Sequence, residues 1–156
     1  MKKLLCAVQF CLLWSITNTL SADRKTTMND EQVTIETVKL LMKKFVDERD
    51  WNQFHTPKNL SMKMAIEAAE LMELFTWQEG LDSFETARQK RQEVEQELAD
   101  VIMVALAFAN ACSIDISKAI MEKLALNEQR YPVEKCKSKS DKYTAYIACK
   151  DKRDAV

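Results

Sequence analysis

The chain has 156 residues, 23 basic against 24 acidic side chains, one glycine and two prolines. So balanced a charge leaves no basic footprint for bulk nucleic-acid binding, and so few turn-formers weigh against a strand-rich fold. What remains is a single helical domain in which any anionic ligand is held locally, by a metal and a few cations.

In chain order, Lys2 and Lys3 lead into Leu4 to Ile16, a mostly apolar run too short to span a bilayer as a helix. This is the outline of a signal peptide, with Ser21 or Ala22 as the small residue before a cleavage point, although Leu20 fits the upstream small position poorly. The reading adopted is a start at Met28, where MNDEQVTIETVKLL opens like a cytosolic helical protein; residues 1–27 are then a leader or a misassigned start. Export is the alternative, and no stable membrane span is expected. Residues 28–135 form the expected helical domain and 136–156 a polar, partly ordered tail rich in Lys and Ser.

Four helices are predicted. The first runs from Asp30 to Asp50, on a stripe of Val33, Val38, Leu41, Phe45 and Val46. Trp51 to His55 breaks that pattern, and Thr56 before Pro57 starts the second helix as an N-cap followed by proline at the first helical position. This helix reaches Trp77, with Gly80 as its left-handed cap. Asp82 and Glu85 have capping-box spacing for a long third helix to Ala111. After a tight connection at Ser113 to Asp115, the fourth runs from Ile116 to Gln129 with Ile116, Ile120, Leu124 and Leu126 inward, and Tyr131-Pro132 stops it. Five cysteines without C-x-x-C spacing suggest neither a zinc site nor a disulfide scaffold, and Cys112 is expected in the core.

Chemistry gathers on the second and third helices. Glu67 and Glu70 lie in IEAAELMELF, and Glu97 and Asp100 in QELADV. Residues three apart on a helix share a face, so each pair is a two-pronged ligand. Asp100 leads directly into Val101 to Ala109, nine apolar residues that predict burial on every side. Carboxylates bordering a buried run must be neutralised, and four oxygen ligands are the chemistry of a hard cation, Mg²⁺ or Mn²⁺. Salt bridges to Lys63 or Arg91 are the alternative neutralisation.

Trp77 lies seven residues after Glu70, almost on the same stripe, as a platform for a base. Trp51, Phe54 and His55 offer a second aromatic cluster. Lys58, Lys123, Arg130 and Lys142 are the candidate phosphate cations, with Asn59 and Asn127 as neutral donors; Lys123, Asn127 and Arg130 recur at helical spacing. Solvated surface accounts equally well for any one of these cations.

The segments ERDWNQFHTPKNL, IEAAELMELFTW, ELADV, NEQRYPVEK and KYT, from Glu48 to Thr144, resemble those of the MazG-like all-α nucleoside triphosphate pyrophosphohydrolases, and most closely the small dCTP pyrophosphatase branch. The resemblance implies an oligomeric four-helix bundle in which Glu67, Glu70, Glu97 and Asp100 bind Mg²⁺. The implied reaction converts a (deoxy)nucleoside triphosphate, dCTP or a related pyrimidine, to the monophosphate and pyrophosphate in nucleotide-pool housecleaning. Glu70 is the candidate general base. The implied base pocket is formed by Trp51 to His55 and Trp77, with Asn59, Lys123, Asn127, Arg130, Lys142 and Tyr143 completing the substrate contacts. Subunits pair so that a neighbour completes each site, in a homotetramer or dimer.

Two positions depart from the animal members of that branch, which carry His at Met42 and Tyr at Val104; losing two polar contacts relaxes base selectivity. Rival phosphohydrolases, a dimeric dUTPase or a phosphoribosyl-ATP pyrophosphatase, differ in the base they take. A di-iron bundle needs E-x-x-H pairs, and no histidine follows Glu67 or Glu97 at that spacing. The rival from another class is an exported helical binding protein that keeps the bundle without the chemistry.

Overall fold

The computed structural model describes residues 28–141. Every regular element among them is helical: α1 (Ile35–Asp47), a 3-10 turn (Trp51–Gln53), α2 (Pro57–Glu73), α3 (Asp82–Gln89), α4 (Arg91–Ala111), α5 (Ile116–Arg130) and α6 (Val133–Cys136). The described residues fall into two compact units, one ending at Ile114 and the other beginning at Asp115.

In the first unit α4 packs along α2 and along α1, with the short α3 also against it. Val46 of α1, Leu60 of α2 and Leu106, Ala107 and Ala109 of α4 form the buried apolar core. Each fully buried Val or Leu contributes about 1.5–3 kcal/mol.

Local chemistry explains where the helices start. Thr34 caps α1 by accepting from the Thr37 amide at 3.2 Å, so the helix begins later than Asp30. At its end Asp50 turns left-handed, φ 53°, which Asp tolerates better than most residues. Thr56 caps α2 as expected, accepting from the Asn59 amide at 3.3 Å, with Pro57 at the first position.

Other boundaries differ from expectation. The second helix stops at Glu73, short of Trp77, because Phe75 and Thr76 bond to carbonyls three residues back and the Thr76 hydroxyl donates to Met72 O at 3.3 Å. Gly80, left-handed at φ 49°, therefore sits in the following loop and not at the helix cap. Asp82 is the first residue of α3 and not its cap: Leu81 holds that place without a side-chain bond, while Asp82 and Glu85 put negative charge near the positive helix end. The long third helix is two helices bent at Lys90, whose torsions (φ −102°, ψ 33°) leave the helical range although hydrogen bonds continue on both sides of it.

Burial is also less complete than the apolar run implies. Ile102 and Met103 of α4 stay 49% and 36% exposed, and Ile120, Leu124 and Leu126 of α5 are exposed instead of inward. Cys112 is a half-buried free thiol. Ser113 turns left-handed and Asp115 caps α5 through the Lys118 amide at 3.0 Å, making the expected tight connection. Among the described residues no single helix is long and apolar enough to cross a membrane.

Candidate active site

The packing of α2 on α4 brings three of the four carboxylates together. Glu67, Glu70 and Glu97 each offer an oxygen lying within 4.8 Å of the other two. Glu67 is buried, at 5% exposure, and Glu97 is half-buried. Asp100, one turn further along α4, is also half-buried but outside this closest group; Lys63 is kept protonated first by its bond to Glu67 and, last, by the charge of Asp100.

Of the two salt bridges weighed against a metal, one forms. Lys63 Nζ lies 2.6 Å from Glu67 Oε1, whereas Arg91 pairs with Glu95. One ammonium does not neutralise three carboxylates, and the carboxyl pKa values move apart. The Lys63 bond, followed by a hydrogen bond from Glu70, holds Glu67 below the usual carboxylate range. Glu70 is pushed up, first by its hydrogen bond with Glu67, then by desolvation and by the charges of Glu67 and Glu97. Three carboxylates this close, with Lys63 salt-bridged to Glu67, are a donor set suited to a divalent cation.

A second feature lies further along α4. A cavity of about 220 Å³ opens between α1, the 3-10 turn and the end of α4. Met42 and Val46 from α1 and Ala107 from α4 give it apolar walls, while Lys43, Asn52, His55 and Asn110 give it polar ones. The rings of Trp51 and His55 are 6.3 Å apart, and Phe45 meets Trp51 edge to face at 5.8 Å. Asp47 organises the rim, accepting from Lys43 Nζ at 2.5 Å and from Asn52 Nδ2 at 2.8 Å; these bonds, Asn52's first, keep its carboxyl below the ordinary value.

The other predicted substrate contacts scatter. Trp77 is 90% exposed beyond the end of α2, so it does not continue the Glu70 stripe. Asn59 donates its side-chain amide to Phe54 O at 2.9 Å and thereby ties α2 to the preceding turn. Lys58 is the second residue of α2. Lys123, Asn127 and Arg130 lie along α5 in the second unit. Lys142, Tyr143, the tail beyond them and residues 1–27 lie outside the described residues.

Sequence reasoning passed over Asp47, Asn52 and Asn110. A signal existed for the last, since Asn110 is the single polar side chain in the eleven positions from Val101 to Ala111.

The MazG-like family model matches residues 62–145, more than half of the chain. The chain belongs to the MazG-like family. It is 38% identical over 113 residues to dCTP pyrophosphatase 1 of Rattus norvegicus, and 36% identical over 115 residues to that of Homo sapiens. Each match covers 71% of this chain and 66% of the relative, so the chain spans about two thirds of the length of the curated relatives it matches. Among solved structures, a pyrophosphatase from Archaeoglobus fulgidus matches with a TM-score of 0.62 at 34% identity, covering 68% of this chain and 99% of that one. The MazG-like match includes all four acidic positions, Glu67, Glu70, Glu97 and Asp100.

Proposed function

We propose that this MazG-like chain is a divalent-metal-dependent nucleotide pyrophosphohydrolase. It converts a (deoxy)nucleoside triphosphate, dCTP or a related pyrimidine, to the monophosphate and pyrophosphate. The observation that carries the reading is the convergence of Glu67, Glu70 and Glu97 on one point, where Glu67 is buried and Lys63 is its salt-bridge partner.

Glu67, Glu70 and Glu97, with Asp100 beside them, are the residues that hold Mg²⁺, with Mn²⁺ as the alternative. Such an ion, when bound, neutralises the triphosphate and makes a water more acidic. Glu70, the exposed member of the pair, is the general base. It takes a proton from the water as the water oxygen bonds to the α-phosphorus, the bond from that phosphorus to the bridging oxygen breaks, and pyrophosphate leaves. Lys63 stands beside Glu67 as a second positive charge and keeps that carboxylate ionised.

Trp51 and His55 flank the base pocket, with Trp77 and Asn59 as outlying contacts. Lys123, Asn127, Arg130, Lys142 and Tyr143 complete the phosphate and sugar contacts, in an assembly of two or four copies that acts in the cytoplasm. Incubating the full chain with Mg²⁺ and each common NTP and dNTP, and detecting monophosphate with pyrophosphate, tests this reading. Orthophosphate alone, or no release at all, contradicts it.

A further inference from the structure

The cavity and the carboxylates are two stations on one stripe of α4. Asp100, Val104, Ala107 and Ala111 follow one another at spacings of four, three and four, so Asp100 and the cavity floor share a face. Seven residues separate Asp100 from Ala107, about 10 Å along the axis. A nucleotide lying along this stripe with its phosphates at the carboxylates carries its base to the cavity. There Ala107 and Ala111 leave room for a flat ring, and Met42 and Val46 offer it apolar walls.

Polar side chains of the cavity differ in how firmly they are held. Lys43 is paired with Asp47, and Asn52 is exposed. Asn110 is half-buried, and its Nδ2 donates to Lys39 O at 2.9 Å, a part-buried bond between α4 and α1. A backbone carbonyl only accepts, so this bond fixes which arm of the amide is nitrogen. Oδ1 is thereby left as an acceptor, and among the described residues nothing donates to it.

We propose that Asn110 is a specificity-determining residue, its Oδ1 accepting a hydrogen bond from the exocyclic amino group of a cytosine base in this cavity. Uracil and thymine present a keto oxygen at that position, acceptor against acceptor, and are disfavoured. The inference rests on the nucleotide pyrophosphohydrolase reading above. It places base discrimination at the end of α4, where it compensates for the apolar Met42 and Val104.

The test is kcat/KM for dCTP and dUTP with Mg²⁺, measured on the full chain and on Asn110→Ala, with Asn110→Ser as the second variant should alanine disturb folding. The unaltered chain is expected to favour dCTP by about tenfold to a hundredfold, as a site built around a hydrogen bond does. Both variants should bring the ratio to within about threefold of unity, mainly by loss of dCTP turnover. Pyrophosphate release with a dCTP:dUTP ratio that neither variant moves, or a native preference for dUTP, overturns the role of Asn110 and leaves the enzyme reading standing. No release from any nucleotide overturns both.

Discussion

At the scale of single residues, Lys63 draws Glu67 down while Glu67 pushes Glu70 up, and the sign of each displacement has a measurable consequence. Glu67 is held below the ordinary glutamate value of 4.5, so its contribution to stability is present above that value and lost as pH falls through its folded pKa. Glu70 is raised above 4.5, so its contribution is present below that value and lost as pH rises through its folded pKa. The metal-free protein therefore loses stability as Glu70 ionises, and a bound divalent cation, which favours the ionised form, reverses that loss. Denaturant melts across the mildly acidic range, with and without Mg²⁺, should separate as pH rises; parallel curves would show that the ion does not meet Glu70. Calorimetry in buffers of different ionisation enthalpy should detect a proton released on binding over the same range. The carboxylate spacing was legible in the sequence because helical geometry alone puts Glu67 beside Glu70. The partner of Glu67 was not, because both Lys63 and Arg91 were within reach on paper and packing decided between them.

Among the elements, boundaries set by a strong local signal were legible and the others were not. The Thr56-Pro57 pair announces α2 because a hydroxyl cap and a pre-set proline φ act locally. Replacing Thr56 by Ala should lower stability by about 1 kcal/mol, read from denaturant unfolding, since the Asn59 amide loses its side-chain acceptor. A change below the precision of that measurement would mean that Pro57 alone sets the helix start. The end of α2 was hidden because apolar periodicity continues through Leu74 and Phe75 while the backbone has already tightened around Thr76. Four residues of misplaced helix carry Trp77 off the Glu70 stripe and into solvent. The bend at Lys90 was invisible for a similar reason: one residue's torsions change while the hydrogen bonds on either side persist. Asn110 shows the converse. A lone amide closing an apolar helix marks a place where the helix faces something polar, here Lys39 O and the cavity.

For the whole molecule, the all-helical class follows from one glycine, two prolines and long apolar periodicities. How deeply those apolar residues are covered does not follow from periodicity, which identifies a face without saying what covers it. Ile66, Met72, Leu98, Ile102 and Met103, all on α2 and α4, remain exposed in the single chain. That exposed apolar surface fits the proposed assembly of like subunits. Light scattering of the full chain should report more than one copy, and Ile102→Glu should shift the population towards monomer by placing a charge on that face; a monomer at micromolar concentration would contradict the assembly. Whether the carboxylates gathered by α2 and α4 perform nucleotide pyrophosphohydrolysis is read from pyrophosphate release from dCTP with Mg²⁺, measured for the native chain beside Glu70→Gln. Release should vanish without the metal and fall by about 10²–10⁴-fold in the variant. A folded, metal-supplied native chain that releases no pyrophosphate, or a variant that releases it as fast, would contradict that role of the carboxylates.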